Sequence, residues 1–397
     1  MNAPASPNRG APTPQALWQW LVDHGHAQGA LPLQPALPWY LKLMNGAAGW
    51  LASWLIIGFL VGTVLAAARS SPLALGLTGA ALMAAAHALL RRALPGTARQ
   101  GTAMGVALQQ SALATGLAGV GLAVAALWAW RDQAALAWSA LHAATVVLAC
   151  ASALAVPQAA FRTLCFIGAW VALTATVLSL GYDTGHDLWL RIGAVTQMLA
   201  LAAAGMAAAL AWHEDALLAR GHGPLARSLA TASLAFVVAA ALTVQAFDVP
   251  QWRGQLPVDT RFASADTWLS VLRRPWLGHV LALALAALWA WPARWLAGTD
   301  AVPAATTRRI ALALLALGLL LGSATGVWAG LAVAALGLHR ASRAQVGVGL
   351  AVAVLGFGVF YYALHWTLMV KSLVLMAAGV ALLLPQARAA LGRGGRA

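Results

Sequence analysis

What most constrains this chain is a series of apolar runs, about 12 to 26 residues long, that follow one another from residue 47 to residue 384 with short polar joints between them. A helix rises about 1.5 Å per residue and the hydrocarbon core is about 30 Å thick, so about 20 apolar residues cross it. The runs are continuous, rich in Ala, Leu and Gly, and do not alternate. They predict helices and exclude a barrel, whose strands alternate every second residue. We read spans at residues 47–68, 72–90, 103–128, 134–156, 161–181, 190–212, 225–247, 276–296, 308–321, 326–339, 345–363 and 367–384. The expected fold is all-α, a polytopic transmembrane helical bundle of about twelve spans over residues 47–384. A cytoplasmic leader (1–46) precedes it and a basic cytoplasmic tail (385–397) follows. With 61% hydrophobic and 9% charged residues, against roughly a quarter charged in an ordinary soluble domain, the composition excludes water-soluble folding.

The 24 Lys and Arg outnumber the 10 Asp and Glu. In a soluble protein this excess would point to nucleic acid. Here the basic residues sit in loops, and nucleic-acid binding is not expected. Sixteen of them, including Arg91, Arg162, Arg227, Arg340 and Arg388, fall on the side that holds both termini, and seven, including Arg69, Arg131 and Arg191, fall on the other. Lys371 lies inside a span. By the positive-inside rule both termini are expected in the cytoplasm.

The first apolar run begins only near Ala47, after a polar, Pro-rich leader, so the first span is expected to stay as an anchor. Within the leader, Leu17, Trp18, Leu21 and Val22 share one helical face, as in an interfacial helix or one packed on the bundle end. Most of the 19 Trp, among them Trp128, Trp130, Trp212 and Trp276, flank apolar runs, where indoles anchor at the headgroup level. Cys150 and Cys165 lie inside runs and read as small hydrophobes. Small residues such as Ala112, Gly116, Gly119 and Ala123 predict closely packed helices. Gly347, Gly349, Gly356 and Gly358 follow no strand and open no βαβ unit, which excludes a nucleotide loop.

Two features stand out as candidate sites. Between Arg308 and Arg343 the apolar pieces hold only about 12 residues each, about 18 Å of helix, separated by Gly322, Ser323, Ala324, Thr325 and Gly326. This predicts a short hairpin whose turn is shielded by protein or water, and transporters place sites at such breaks. Lys371 is the one ionisable residue well inside a run. It either snorkels to the outer interface or forms a polar cluster with Tyr361, Tyr362, His365, Thr367 and Ser372, for which Asp132, Asp183 or Asp187 on the same side could supply an acid.

Further buried polar candidates are Gln109, Gln110, Gln197 and His142, the last near the middle of its run. Interhelical hydrogen bonding explains most residues of this kind. The groups Asp23, His24, His26; His213, Glu214, Asp215, His222; and Tyr182, Asp183, His186, Asp187 have no recognised metal spacing. No catalytic residue, metal or cofactor is assigned. The loop 248–275 is long and of mixed charge, as a docking loop for a periplasmic partner would be.

The segments PWYLKLMNGAAGWLASWLIIGFLVG (Pro38 to Gly62) and GFGVFYYALHWTLMVKSLVLMAAGVALLL (Gly356 to Leu384) resemble the two ends of the bacterial family named domain of unknown function 4401. Its most specific part is Tyr361, Tyr362, Trp366, Thr367, Leu368, Lys371, Ser372. The resemblance implies a multi-pass inner-membrane protein of a Gram-negative bacterium and assigns no reaction. Three functions stay open: a non-catalytic scaffold or sensor subunit working with a periplasmic or membrane partner, a transporter or permease-like carrier with its site near 308–343 and Lys371, and an integral-membrane enzyme, for which no triad or carboxylate pair stands at recognisable spacing.

Overall fold

A computed structural model describes residues 14–25, 28, 38–68, 71–93, 103–134, 136–180, 188–247, 276–290, 312, 314–318, 321–340, 342–363, 369, 372, 373 and 376. Its helices are α1 (Pro14–Asp23), α2 (Trp39–Ala68), α3 (Pro72–Ala93), α4 (Ala103–Ala134), α5 (Trp138–Ala155), α6 (Ala159–Ser179), α7 (Leu188–Trp212), α8 (Glu214–Ala219), α9 (Gly223–Phe247), α10 (Leu277–Ala290), α11 (Thr325–His339) and α12 (Arg343–Ala363). Among the described residues there is no strand. Ala and Leu are strong helix formers, and a chain in hydrocarbon must satisfy its backbone within each segment. Hydroxyls obey the same demand. Ser53, Thr78, Thr145, Thr174, Thr176 and Thr243 each donate to the carbonyl four residues back, at 2.7 to 3.0 Å.

Among the described residues, seven helices are long and apolar enough to cross a membrane, and three shorter apolar helices accompany them. Together these coincide with ten of the twelve runs. Of the remaining two, half of 308–321 and most of 367–384 lie outside the described residues.

The chain divides into two compact units. The first is Met1–Thr63 with Ala81–Ala118. In it α2 and α4 meet at Gly49, where an added Cβ would stand 2.8 Å from the carbonyl oxygen of Ala107. Ser111 Oγ donates to Gly49 O at 3.3 Å. On α1, Trp20 stacks on His24 with ring centroids 4.3 Å apart, and Trp20 and Val22 are exposed.

The second unit is Val64–Ala80 with Gly119–Ala397. Here the expected small-residue face is real: an added Cβ on Gly79 of α3 would lie 2.8 Å from Gly119 O and 3.0 Å from Ala123 N of α4. Helices α5 and α6 form a hairpin in which Arg162 Nε donates to Ala153 O at 3.1 Å, serving a carbonyl that the end of α5 leaves unpaired. Behind it α6, α7, α9, α10 and α11 enclose the core, which contains Ala200, Ala203, Phe236, Val237, Ala241, Leu277, Leu281 and Trp328. Trp170 Nε1 donates to the buried Ser233 Oγ at 3.2 Å and stacks on Phe236.

The tightest joint is α11 against α12. An added Cβ on Gly330 would collide with Ala353 N and stand 2.6 Å from Gly349 O. One on Gly349 would collide with Ala334 N, and one on Gly356 with Gly326. Gly347 and Gly358 face open space. The four glycines alike in sequence thus divide into two that let the backbones touch and two that do not. Ser342 starts α12 by accepting the amide of Gln345 on its Oγ at 3.3 Å.

Candidate functional site

Several buried polar groups of the second unit meet at the break in the predicted hairpin. Leu321 O accepts the amide of Ala324 and the indole N–H of Trp328, both at 2.9 Å. Gly322, Ala324, Thr325 and Gly326 are buried, so the turn is shielded by protein. One cover is the first turn of α10: an added Cβ on Gly278 would collide with Gly322 O, and one on Gly322 with the His279 ring. The other is α9. Thr325 Oγ1 donates to Ala241 O at 2.8 Å. Gln245 Oε1 accepts Gly326 N–H at 2.7 Å while its Nε2 donates to Gly356 O at 2.6 Å. One carboxamide therefore joins α9, α11 and α12.

Gln197 repeats the device on α7. Fully buried, it accepts the amide of Leu277 on Oε1 at 3.1 Å and donates from Nε2 to Gly193 O at 3.3 Å. Two short apolar helices thus begin on the side-chain oxygens of glutamines carried by two long ones. The first N–H groups of a helix have no partner within it, and in a dry interior a side-chain oxygen has to serve them. Helix α11 has 15 residues between this turn and Arg340, or about 22 Å at 1.5 Å per residue, short of the hydrocarbon thickness.

At the opposite end of α11, Glu214 accepts Arg340 Nε at 3.1 Å and Arg227 Nε at 2.7 Å. The start of α8, the end of α11 and the first turns of α9 are tied together there. These basic residues were expected on one side of the membrane, and the structure brings two of them to one carboxylate. Gly221, at φ +75°, ends α8, with His222 N bonded to Leu217 O and Gly221 N to Leu218 O, the glycine-terminated helix end that L side chains resist. Burial pushes the Glu214 pKa up, but the hydrogen bonds and charges of Arg227 and Arg340 outweigh it and hold the carboxyl below the usual glutamate range. Its ionised form is therefore favoured by the fold. That stabilisation is complete above the unfolded value of about 4.3 and disappears as pH falls through the lower folded value. Melting of detergent-purified protein should show an acid-side loss that Glu214→Gln flattens. Arg340 is 14% exposed and Arg227 59%, so Arg340→Ala should destabilise by about 1 kcal/mol and Arg227→Ala by a few tenths.

The other sequence candidates are distributed as follows. Tyr361 is half-buried and Tyr362 exposed at the end of α12, with ring centroids 5.7 Å apart. Ser372 Oγ donates to Met369 O at 2.8 Å. Lys371, His365 and Thr367 lie outside the described residues. Gln110 accepts the indole N–H of Trp50 at 2.7 Å, a joint within the first unit, and Gln109 is half-buried in the same turn of α4. His142 is not near mid-span. Helix α5 starts at Trp138, which makes His142 its fifth residue, one turn from its beginning, between Trp128 and Trp138. Among the described residues no group of three or more His, Cys, Asp or Glu could hold a metal ion. Sequence reasoning missed Gln245 and the Glu214 ion pairs. A glutamine two residues from the end of a run reads as an interface residue, and its partner Gly356 is 111 residues away.

Long apolar helices whose internal polar groups pair with one another and with backbone define an all-helical membrane protein. The chain belongs to the family described as Domain of unknown function (DUF4401), whose model matches residues 38–393. No curated protein and no solved structure matches the chain.

Proposed function

We propose that this is a multi-pass protein of the bacterial inner membrane, with about twelve spans and both termini in the cytoplasm, acting as a non-catalytic scaffold or sensor subunit for a periplasmic or membrane partner. The observation that carries the reading is the use of the buried polar side chains. Gln197, Gln245, Thr325 and Ser233 all hydrogen-bond to helix backbones or to a neighbouring indole, binding helices together at the heart of the second unit. Groups so engaged build a rigid frame. The orientation rests on the sixteen-to-seven distribution of basic residues.

Reporter fusions at the two ends are expected to give cytoplasmic signals at both. Opposite signals would remove the even span count. Affinity purification after cross-linking in native membranes is expected to recover a stoichiometric partner, and Lys371→Ala should leave every measured flux unchanged. The carrier reading has one specific observation in its favour, the 15-residue α11 starting at a buried break. Recovery of the chain alone, with uptake lost in a stably inserted Lys371→Ala variant, would establish it instead.

A further inference from the structure

Three of the membrane-length helices of the second unit have an end at the Glu214 corner: α7 closes at Trp212, α9 opens at Gly223 and α12 opens at Arg343. The ends of helices that just cross the hydrocarbon stand at the level of the lipid headgroups, and the exposed indole of Trp212 is a residue type that settles there. Glu214 gives each of its carboxylate oxygens to a different guanidinium, Oε1 to Arg227 Nε at 2.7 Å and Oε2 to Arg340 Nε at 3.1 Å. An arginine carries five N–H donors, and each of these two spends one on the carboxylate. Among the described residues neither guanidinium makes another hydrogen bond, so the amino groups of both are uncommitted. Arg227 is 59% exposed, and no nitrogen of Arg340 is sealed away without a partner. Arg220, which ends α8, and Arg343, which opens α12, are exposed at the same end, as is Asp215. This corner therefore carries four arginines and two carboxylates, and stays positive.

One carboxylate shared by two arginines does two things for an anion. It leaves the pair with a surplus positive charge, and it holds two planar groups side by side, so that little further side-chain freedom is lost when they bind a second partner. Guanidinium groups take carboxylate and phosphate oxygens with the same donor geometry. A phosphate beside the pair can accept from Arg227 and Arg340 on the amino groups that Glu214 leaves unused. The depth selects the source of that phosphate. Headgroup phosphates lie at the ends of membrane helices, and basic pockets between such helices bind anionic headgroups. An acidic protein segment would have to displace lipid to reach the same level. We infer that the corner formed by α8, α9 and α11 binds the phosphate of an anionic phospholipid: Arg227 and Arg340 are its ligands, Glu214 is the positioning residue that sets them side by side, and Arg220 and Arg343 add attraction from outside the clasp. The site requires only that the chain lies in a membrane, and rests neither on its orientation nor on the scaffold reading.

Native mass spectrometry of the full-length protein in detergent, titrated with phosphatidylglycerol or phosphatidylcholine, tests this. Wild type is expected to retain phosphatidylglycerol preferentially, and Arg227→Gln to weaken that retention about fivefold, the effect of one arginine on an anionic headgroup. Arg227→Lys should recover only part of it, because the planar fork is lost. Arg340→Gln should weaken it as much; if that variant does not fold, the more exposed Arg227 still decides. Arg220→Gln removes the same charge from the same corner but leaves the clasp whole, and should weaken retention less than about twofold, because salt screens an exposed charge. Arg91→Gln, at an exposed position on α3, is the control. Equal losses in Arg227→Gln and Arg220→Gln would reduce the site to diffuse attraction and overturn the assignment, as would equal retention by wild type and Arg227→Gln. Displacement of the lipid by inorganic phosphate at equal concentration would make this a site for a free anion, and displacement by a poly-glutamate peptide a surface for an acidic protein; either result would overturn it too.

Discussion

Gly330→Leu is expected to separate α11 from α12 and to destabilise the second unit by about 3 kcal/mol, the upper end of what overpacking does, whereas Gly347→Leu on the same helix pair is expected to change little. The contrast comes from where each Cβ would point. At Gly330 it meets Ala353 N and Gly349 O, backbone atoms that no rotamer change can move aside, and at Gly347 it meets nothing within 4 Å. Lipid tails are as apolar as leucine, so association of these two helices rests on close van der Waals approach, which small residues alone permit. The separation would also propagate. Gly349 against Ala334 and Gly356 against Gly326 belong to the same seam, and Gly356 O is held by Gln245. Unfolding of both variants in a denaturing-detergent titration measures the difference. Equal midpoints for Gly330→Leu and Gly347→Leu would show that the seam does not hold the hairpin.

The seam also shows what sequence alone could carry. The runs themselves were legible because hydrocarbon imposes continuous apolarity on every residue of a span, and ten of the twelve coincide with apolar helices. Helix ends were less so. Leu136 and Ala137 are as apolar as the span they precede, so the start of α5 at Trp138 was invisible and His142 was placed a turn or more too deep. Gly347, Gly349, Gly356 and Gly358 look equivalent in the chain, yet only the pair on the α11 side, seven residues or about two turns apart, touches a neighbouring backbone. The break at Gly322 to Gly326 was readable because glycine, serine and threonine interrupt an otherwise apolar stretch. What shields it was not, since Ala241 and Gln245 lie more than 80 residues away along the chain. Glu214 was legible only as one of several acids and histidines, because Arg340, its half-buried partner, is 126 positions further on.

Gln245→Leu should have the second largest effect, about 2 to 4 kcal/mol, and should release the start of α11. Leucine fills a similar volume but serves neither Gly326 N–H nor Gly356 O, and each buried group left without a partner costs about 1 to 3 kcal/mol. Single side-chain hydrogen bonds between membrane helices average about 0.6 kcal/mol, because other side chains take over. Here the stranded groups are backbone, inside a joint too close for another side chain to enter. Gln197→Leu is the natural comparison: it strands Leu277 N–H, which Gln197 serves at the longer distance of 3.1 Å, and should cost about half as much. Gln245→Glu separates the two halves of the clamp. A carboxylate still accepts from Gly326 N–H but cannot donate to Gly356 O, and it would be a buried charge. A protonated carboxyl does both. The carboxyl must therefore hold its proton to bridge the three helices, so this variant should be more stable at the acid end of the range than at the alkaline end, opposite in sign to the acid-side loss at Glu214. Melting curves of wild type and Gln245→Glu between pH 5 and pH 9 measure it. A variant whose stability is flat across that range, or falls towards acid, would mean that Gln245 does not bridge the three helices through both ends of its amide.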